Sequence, residues 1–229
     1  MIKNDFNLDI DFDDFEDIEL NLEDSFENRY IKPPRTLEVP ENLLKYDNAE
    51  KLAKAIKFAK GDRFHIRLNG SFIFGDFIEA FIVVNNYHVK ELSVSTLSLS
   101  ENNVDSFANL LNGGFVDKLN LVVSDYFFSH ERRNLVPYLY KELDKKNRFQ
   151  LAAAGVHTKI VLIETHCGMK YYFHGSANLR SSANIEQVCL EENEMLFDWS
   201  KIEQDNIIEQ YKTIDKSIRG KELWRLITK

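Results

Sequence analysis

Two runs of chain on either side of residues 165–168 constrain the fold more than any other part of the sequence. Residues 156–163 carry Val156, Ile160, Val161 and Ile163, and β-branched side chains pack well on a pleated surface, so a strand is predicted there. Thr165-His166-Cys167-Gly168 places a glycine at the tip of a turn, and residues 170–174 return as the second strand of a hairpin. If the turn centres near Cys167, paired residue numbers sum to about 334, which sets His157 opposite Ala177 or Asn178. Side chains two apart share a face of a strand, so His157 and Lys159 stand side by side, as do Ser176 and Asn178. A histidine, a lysine, a hydroxyl and an amide thus converge on one patch, with Glu186 available to orient the imidazole. That set of groups suits an anionic phosphoryl group.

The spacing His157-x-Lys159-x4-Glu164, followed by Gly175-Ser176-x-Asn178 and a later acid, resembles the catalytic signature of the phospholipase D superfamily. The resemblance implies that His157 attacks phosphorus to form a phosphohistidine. It likewise implies that Lys159, Ser176 and Asn178 hold phosphate oxygens and that Glu186 bonds the nucleophilic ring. Glu164 stands where the family usually has aspartate, at a position that is mostly structural there. The composite carries the resemblance and the His-x-Lys pair does not: His88-Val89-Lys90 repeats the pair with no Gly-Ser-x-Asn behind it. Family members with two motifs supply a second histidine to protonate the leaving oxygen, whereas this chain has one complete motif. A homodimer that brings two copies of His157 to one site is therefore expected.

The rest of the chain predicts an α/β fold, a mixed β-sheet flanked by helices on both faces, phospholipase D-like, with an acidic N-terminal arm. Apolar residues at helical spacing predict a helix over 41–59, ended by Gly61. Strands are predicted over 64–68 and 71–74, joined as a hairpin by Asn69-Gly70, and residues 77–84 lean towards helix. Residues 92–99 alternate as a strand, a helix runs from Ser100 to Gly113, and 116–124 form a buried strand. Residues 130–144 form a helix, 149–153 a short strand leading into the site, and a helix begins at Glu194 or Phe197. Active groups in such sheets lie where strands end and loops begin. The predicted domains are an acidic, aromatic-rich arm over 1–34, a catalytic domain over 35–212 and a helical tail over 213–229.

Charge matters here through its distribution. The formal net charge is −8, yet residues 1–31 hold eleven acids against two bases, which leaves 26 acids and 27 bases for the rest. The globular part is close to neutral, so nucleic-acid substrates stay open. The arm alternates acids with Phe6, Leu8, Ile10, Phe12 and Phe15. It is expected to pack on its own domain or on a partner, and the sharper alternative is a lid or hook whose carboxylates mimic a phosphate backbone. The chain begins with an acidic segment that lacks the regions of a signal peptide, and no apolar run reaches the length of a spanning helix. Cys167 and Cys189 lack Cys-x-x-Cys spacing, so a cytoplasmic location is expected. His157, His166, Cys167 and His174 invite a zinc reading. The hairpin places His166 and Cys167 at its turn, roughly 30 Å from His157, so no metal or other cofactor is expected. His174 either lines the pocket or is a bystander.

The function expected is a metal-independent phosphodiesterase, a nuclease acting on DNA or RNA. The alternatives are a non-catalytic nucleic-acid- or partner-binding module that keeps the phosphate pocket and, less favoured without a membrane-binding segment, a phospholipase.

Overall fold

The computed structural model describes residues 35–38, 45–68, 72–180, 184–214 and 225. The acidic arm, the Asn69-Gly70 pair and nearly all of the expected C-terminal tail lie outside that set. Eight strands form one sheet: β1 (Arg35–Glu38), β2 (Arg63–Leu68), β3 (Val89–Thr96), β4 (Leu119–Ser124), β5 (Phe149–Ala154), β6 (Ile160–Thr165), β7 (Lys170–Gly175) and β8 (Glu186–Glu192). Their order across the sheet is β1-β2-β8-β7-β6-β3-β4-β5. β3, β4 and β5 run parallel, as do β1 and β2, while β2-β8-β7-β6-β3 are antiparallel neighbours. This is the mixed sheet that the pattern of strands and helices predicts.

The helices are α1 (Lys45–Ala55), α2 (Phe74–Val84), α3 (Glu101–Asn112), α4 (Asp125–Glu131), α5 (Leu135–Leu143) and α6 (Glu194–Tyr211). One face of the sheet buries the main core, built from α1, α2, α3 and α5 against alternate strand residues such as Ile66, Val94, Leu121, Leu151, Val161, Phe173 and Leu190. Aromatic rings dominate its centre. Phe81 meets Tyr171 edge to face at 5.3 Å and Phe58 meets Phe64 the same way at 5.0 Å, which adds a directional attraction to the area they remove from water. The Tyr171 hydroxyl donates to the Tyr87 hydroxyl at 2.7 Å, so the polar tip of this buried ring is satisfied. α6 covers the opposite face, where Phe197 packs on Leu162 and Tyr172. Among the described residues no helix is long and apolar enough to cross a membrane.

The hairpin register agrees with the sequence. Ile160 pairs with His174, Val161 with Phe173 and Glu164 with Lys170, every pair summing to 334. The turn occupies Thr165 to Gly168, and Gly168 takes a φ of +86° that only glycine adopts without strain. Two expectations are corrected. Residues 72–74 form no strand beside β2, which has β1 on one edge and β8 on the other. Phe74 instead opens α2, where it stacks on Phe77 within the aromatic core. The single helix over 130–144 is two helices, α4 and α5, with non-helical Asn134 (φ −115°, ψ −84°) between them.

Candidate active site

The strands end in concert. The C-terminal ends of β2, β3, β4, β5 and β7 and the N-terminal ends of β6 and β8 all lie along one rim of the sheet, by the directions of their pairing. The residues singled out in the sequence occupy this rim. Lys159 immediately precedes β6, Ser176 follows β7, and Glu186 opens β8 opposite Leu68.

Lys159 and His157 meet directly. The Lys159 Nζ lies 3.0 Å from His157 Nδ1 and donates to the His157 carbonyl at 2.9 Å. Burial draws the Lys159 ammonium below its ordinary pKa, and the charge on Glu186 opposes that shift. The loop carrying these groups is tied to the parallel strands, since the Thr158 hydroxyl sits 2.7 Å from Ser95 Oγ at the end of β3.

On the other arm of the hairpin, Gly175 lets β7 and β8 approach closely. A Cβ there would lie 2.1 Å from the Gln187 carbonyl oxygen, closer than any real side chain comes. The backbone then turns, with Ser176 N–H donating to the Gln187 carbonyl at 2.9 Å and Gln187 N–H donating to Ser176 Oγ at 3.0 Å. The Ser176 hydroxyl donates to Glu186 Oε2. Asn178 sits two residues further, half-buried, with a solvent-inaccessible Oδ1 that meets no hydrogen-bond donor among the described residues. It lines a small cleft with Leu68, Phe72, Phe74, Ala177, Arg180 and Glu186. That amide oxygen accepts only, so a phosphate oxygen could be met here only by the Asn178 Nδ2 donors.

Asn103 and Gly75 hold the loop that carries Asn178. The Leu179 carbonyl accepts from Gly75 N–H at 2.9 Å, in the first turn of α2, and from Asn103 Nδ2 at 3.3 Å, in the first turn of α3. Asn103 Oδ1 also accepts from the N–H and hydroxyl of Ser100, so the same side chain caps its own helix. A Cβ on Gly75 would lie 2.3 Å from Asn103 Nδ2, so glycine is what allows the two helix starts to converge on the loop.

The structure thus joins His157 to Lys159 and Ser176 to Glu186, and it brings Asn178 and Glu186 to one cleft. Arg180 was not among the predicted groups; its position two residues beyond Asn178 was the available signal. The decoy pair His88 and Lys90 lies at the other end of the sheet, where Lys90 donates to Glu164 at 2.9 Å beside the hairpin turn. His166 and Cys167 also lie at that turn, His166 Nε2 being 2.7 Å from Asp117. His174 does not face the cleft. It stacks on Tyr172 on the α6 side of the sheet, with Nε2 3.3 Å from Glu191 Oε1.

No family model matches this chain, and no curated protein does. Solved structures are similar to it. TrmBL2, an archaeal chromatin protein with a novel mode of DNA binding, is 12% identical with a TM-score of 0.45, over 74% of this chain. This chain spans 61% of that protein's length. Nuc, a phospholipase D family member from Salmonella typhimurium, is 12% identical with a TM-score of 0.47, over 66% of this chain and 97% of Nuc. NucT from Helicobacter pylori has the same identity and TM-score, over 67% of this chain and 99% of NucT. Likenesses of this size carry no weight for the chemistry, which stands on the residues above.

Proposed function

We propose that the chain is a phosphodiesterase of the phospholipase D type, acting on nucleic acid through His157. The observation that carries this reading is the meeting of His157 and Lys159 on the rim that holds the Ser176–Glu186 pair and the Asn178 side chain. A lysine on Nδ1 leaves the proton of a neutral imidazole on Nε2, the wrong tautomer for an Nε2 nucleophile. An entering phosphate supplies a stronger partner for the ammonium. With Lys159 drawn to a phosphate oxygen, Nδ1 carries the proton towards a carboxylate, Glu186 being the acid on this rim, and Nε2 is free. Nε2 then forms a bond to phosphorus as the ester oxygen leaves, and water later cleaves the phosphorus–nitrogen bond. In this reading Lys159, Arg180 and the Asn178 Nδ2 donors offset charge on the phosphoryl oxygens.

The leaving oxygen needs a proton, a contribution worth roughly 10²–10⁴ in rate. The donor in this reading is His157 of a second copy, so the active species is a homodimer and no metal enters the chemical step. A second reading, a phosphate-pocket module without turnover, is favoured by one feature: Glu186 takes the Ser176 hydroxyl and the imidazole Nδ1 faces lysine in the free chain.

Cleavage of bis-p-nitrophenyl phosphate and of single- and double-stranded DNA and RNA, in EDTA, separates the two. Turnover that persists in EDTA and disappears in His157→Ala is the expected result. Binding of DNA or RNA without turnover, unchanged by His157→Ala, would overturn the enzyme reading and leave the module.

A further inference from the structure

The face of the sheet turned away from the main core carries a second cluster of chemically competent groups, beginning within three residues of the strand ends that form the rim. Strand register assembles it. His65 on β2 pairs with Cys189 on β8, and Cys189 pairs with His174 on β7, so three side chains stand in one row across adjacent antiparallel strands. Such neighbours have Cβ atoms about 4.5–5.5 Å apart. Glu191 lies two residues along β8 and so shares their face. α6 packs over β3 to β7, and the imidazoles of His65 and His174 remain partly open to solvent.

The distances are those of a coordination sphere. His174 Nε2 is 3.3 Å from Glu191 Oε1, Cys189 Sγ is 3.5 Å from the same oxygen, and His65 Nε2 is 4.0 Å from Cys189 Sγ. The donor atoms of His174, Cys189 and Glu191 all lie within 4.8 Å of one another. Metal bonds of 2.0–2.3 Å at tetrahedral angles place ligand atoms roughly 3.3–3.6 Å apart, so small side-chain rotations suffice. The far oxygen of Glu191 is already fixed, accepting from Arg63 Nη2 at 2.9 Å and Asn193 Nδ2 at 3.2 Å, which leaves Oε1 aimed at the cluster. Supporting partners of this kind hold metal-binding carboxylates in place.

We propose that His174, Cys189 and Glu191 bind a divalent transition-metal ion of the zinc class, with His65 closing the fourth corner. One thiolate, two imidazoles and a carboxylate select zinc over magnesium or calcium, which take oxygen ligands. The Cys189 thiol donates its hydrogen to Glu191 Oε1. Binding therefore forms a metal–sulfur bond and releases that proton to solvent. The ion cross-links β2, β8 and β7, the strands that present Glu186 and Ser176 at the rim, so its role is to brace the sheet and not to enter phosphoryl transfer.

The test is titration of the full chain with Co(II) as a spectroscopic stand-in, followed by displacement with zinc. A thiolate-to-cobalt charge-transfer band at one equivalent per chain is expected, together with a zinc-dependent rise in Tm. Cys189→Ser should abolish the band, whereas Cys167→Ser, at the exposed turn, and His157→Ala should keep it. Because Cys189 is buried, His174→Gln and His65→Gln provide variants at partly exposed positions. His174→Gln should weaken Co(II) binding at least about 10–100-fold, the range found for lesser perturbations of such sites. The proposal fails if wild type shows no thiolate band, or if the band follows Cys167. It also fails if His174→Gln, folded by circular dichroism, binds as wild type does. If only His65→Gln is silent, the fourth corner is not His65 and that part of the assignment is overturned.

Discussion

Single residues decide where the groups on the rim can stand, and Gly175 is the clearest case. It lies where β7 leaves the sheet, and the Gln187 carbonyl occupies the space a methyl group would need. Gly175→Ala must push β7 and β8 apart, so a loss of about 1–3 kcal/mol is expected, read as a lower urea midpoint with an unchanged m-value. The same displacement moves Ser176 away from Glu186 and should lower phosphate affinity. The glycine was legible in the sequence as part of a motif, but its reason was not. Nothing local indicates that the chain beside it belongs to residue 187. Asn103 makes the same point, because its capping role could be read from Ser100 three residues earlier while its bond to the Leu179 carbonyl spans 76 positions.

At the level of the element, α6 is held to the sheet by an ion pair as well as by the apolar contact of Phe197. Its buried residues are Phe197, Ser200 and Gln204. Beside them Lys201 donates to Asp205 within the helix and forms an ion pair at 2.8 Å with Glu91 on β3. Burial would raise the Glu91 carboxyl, but hydrogen bonds from Lys201 and Lys118 and their charges hold it below its ordinary pKa. The unfolded chain therefore binds this proton more readily than the folded one. The stabilisation is complete above the usual glutamate range and is lost as pH falls through and below it. Lys201→Met should cost about 1–3 kcal/mol near neutral pH, because it strips a largely buried carboxylate of one partner. Denaturant melts from neutral to acidic pH should show a smaller acid-induced loss in the variant than in wild type.

For the whole molecule, the rim is the organising fact. Parallel and antiparallel strands reverse against one another so that seven strand ends meet, and the two arms of the β6–β7 hairpin deliver the imidazole–lysine and hydroxyl–amide pairs to the same edge. One chain still supplies one histidine motif. If catalysis needs a second imidazole, sedimentation at micromolar concentration should give twice the chain mass, and activity per chain should fall on dilution into monomer. Mixing His157→Ala with wild type should also poison the mixed dimers. A strictly monomeric chain with full turnover would overturn the shared-site reading.

The hairpin register, the helix from Ser100 and the buried strand predicted over 116–124 and found over Leu119–Ser124 could be read because each depends on short-range rules. These are turn chemistry, capping, and the alternation of apolar residues over a few positions. Beyond that hairpin, the neighbours of the strands could not be read that way. Residues 186–192 offer only Val188, Cys189 and Leu190 between polar residues, too weak a pattern to announce a strand, yet β8 is a central strand of the sheet. Its insertion between β2 and β7 removes the edge that the Asn69-Gly70 hairpin would have used. The same insertion brings His65 and His174 to either side of Cys189. The sequence by itself determined the motif, its register and the rim it occupies. Pairing between segments far apart in the chain decided the rest, because a strand's partner is chosen by the core it completes and not by the residues beside it.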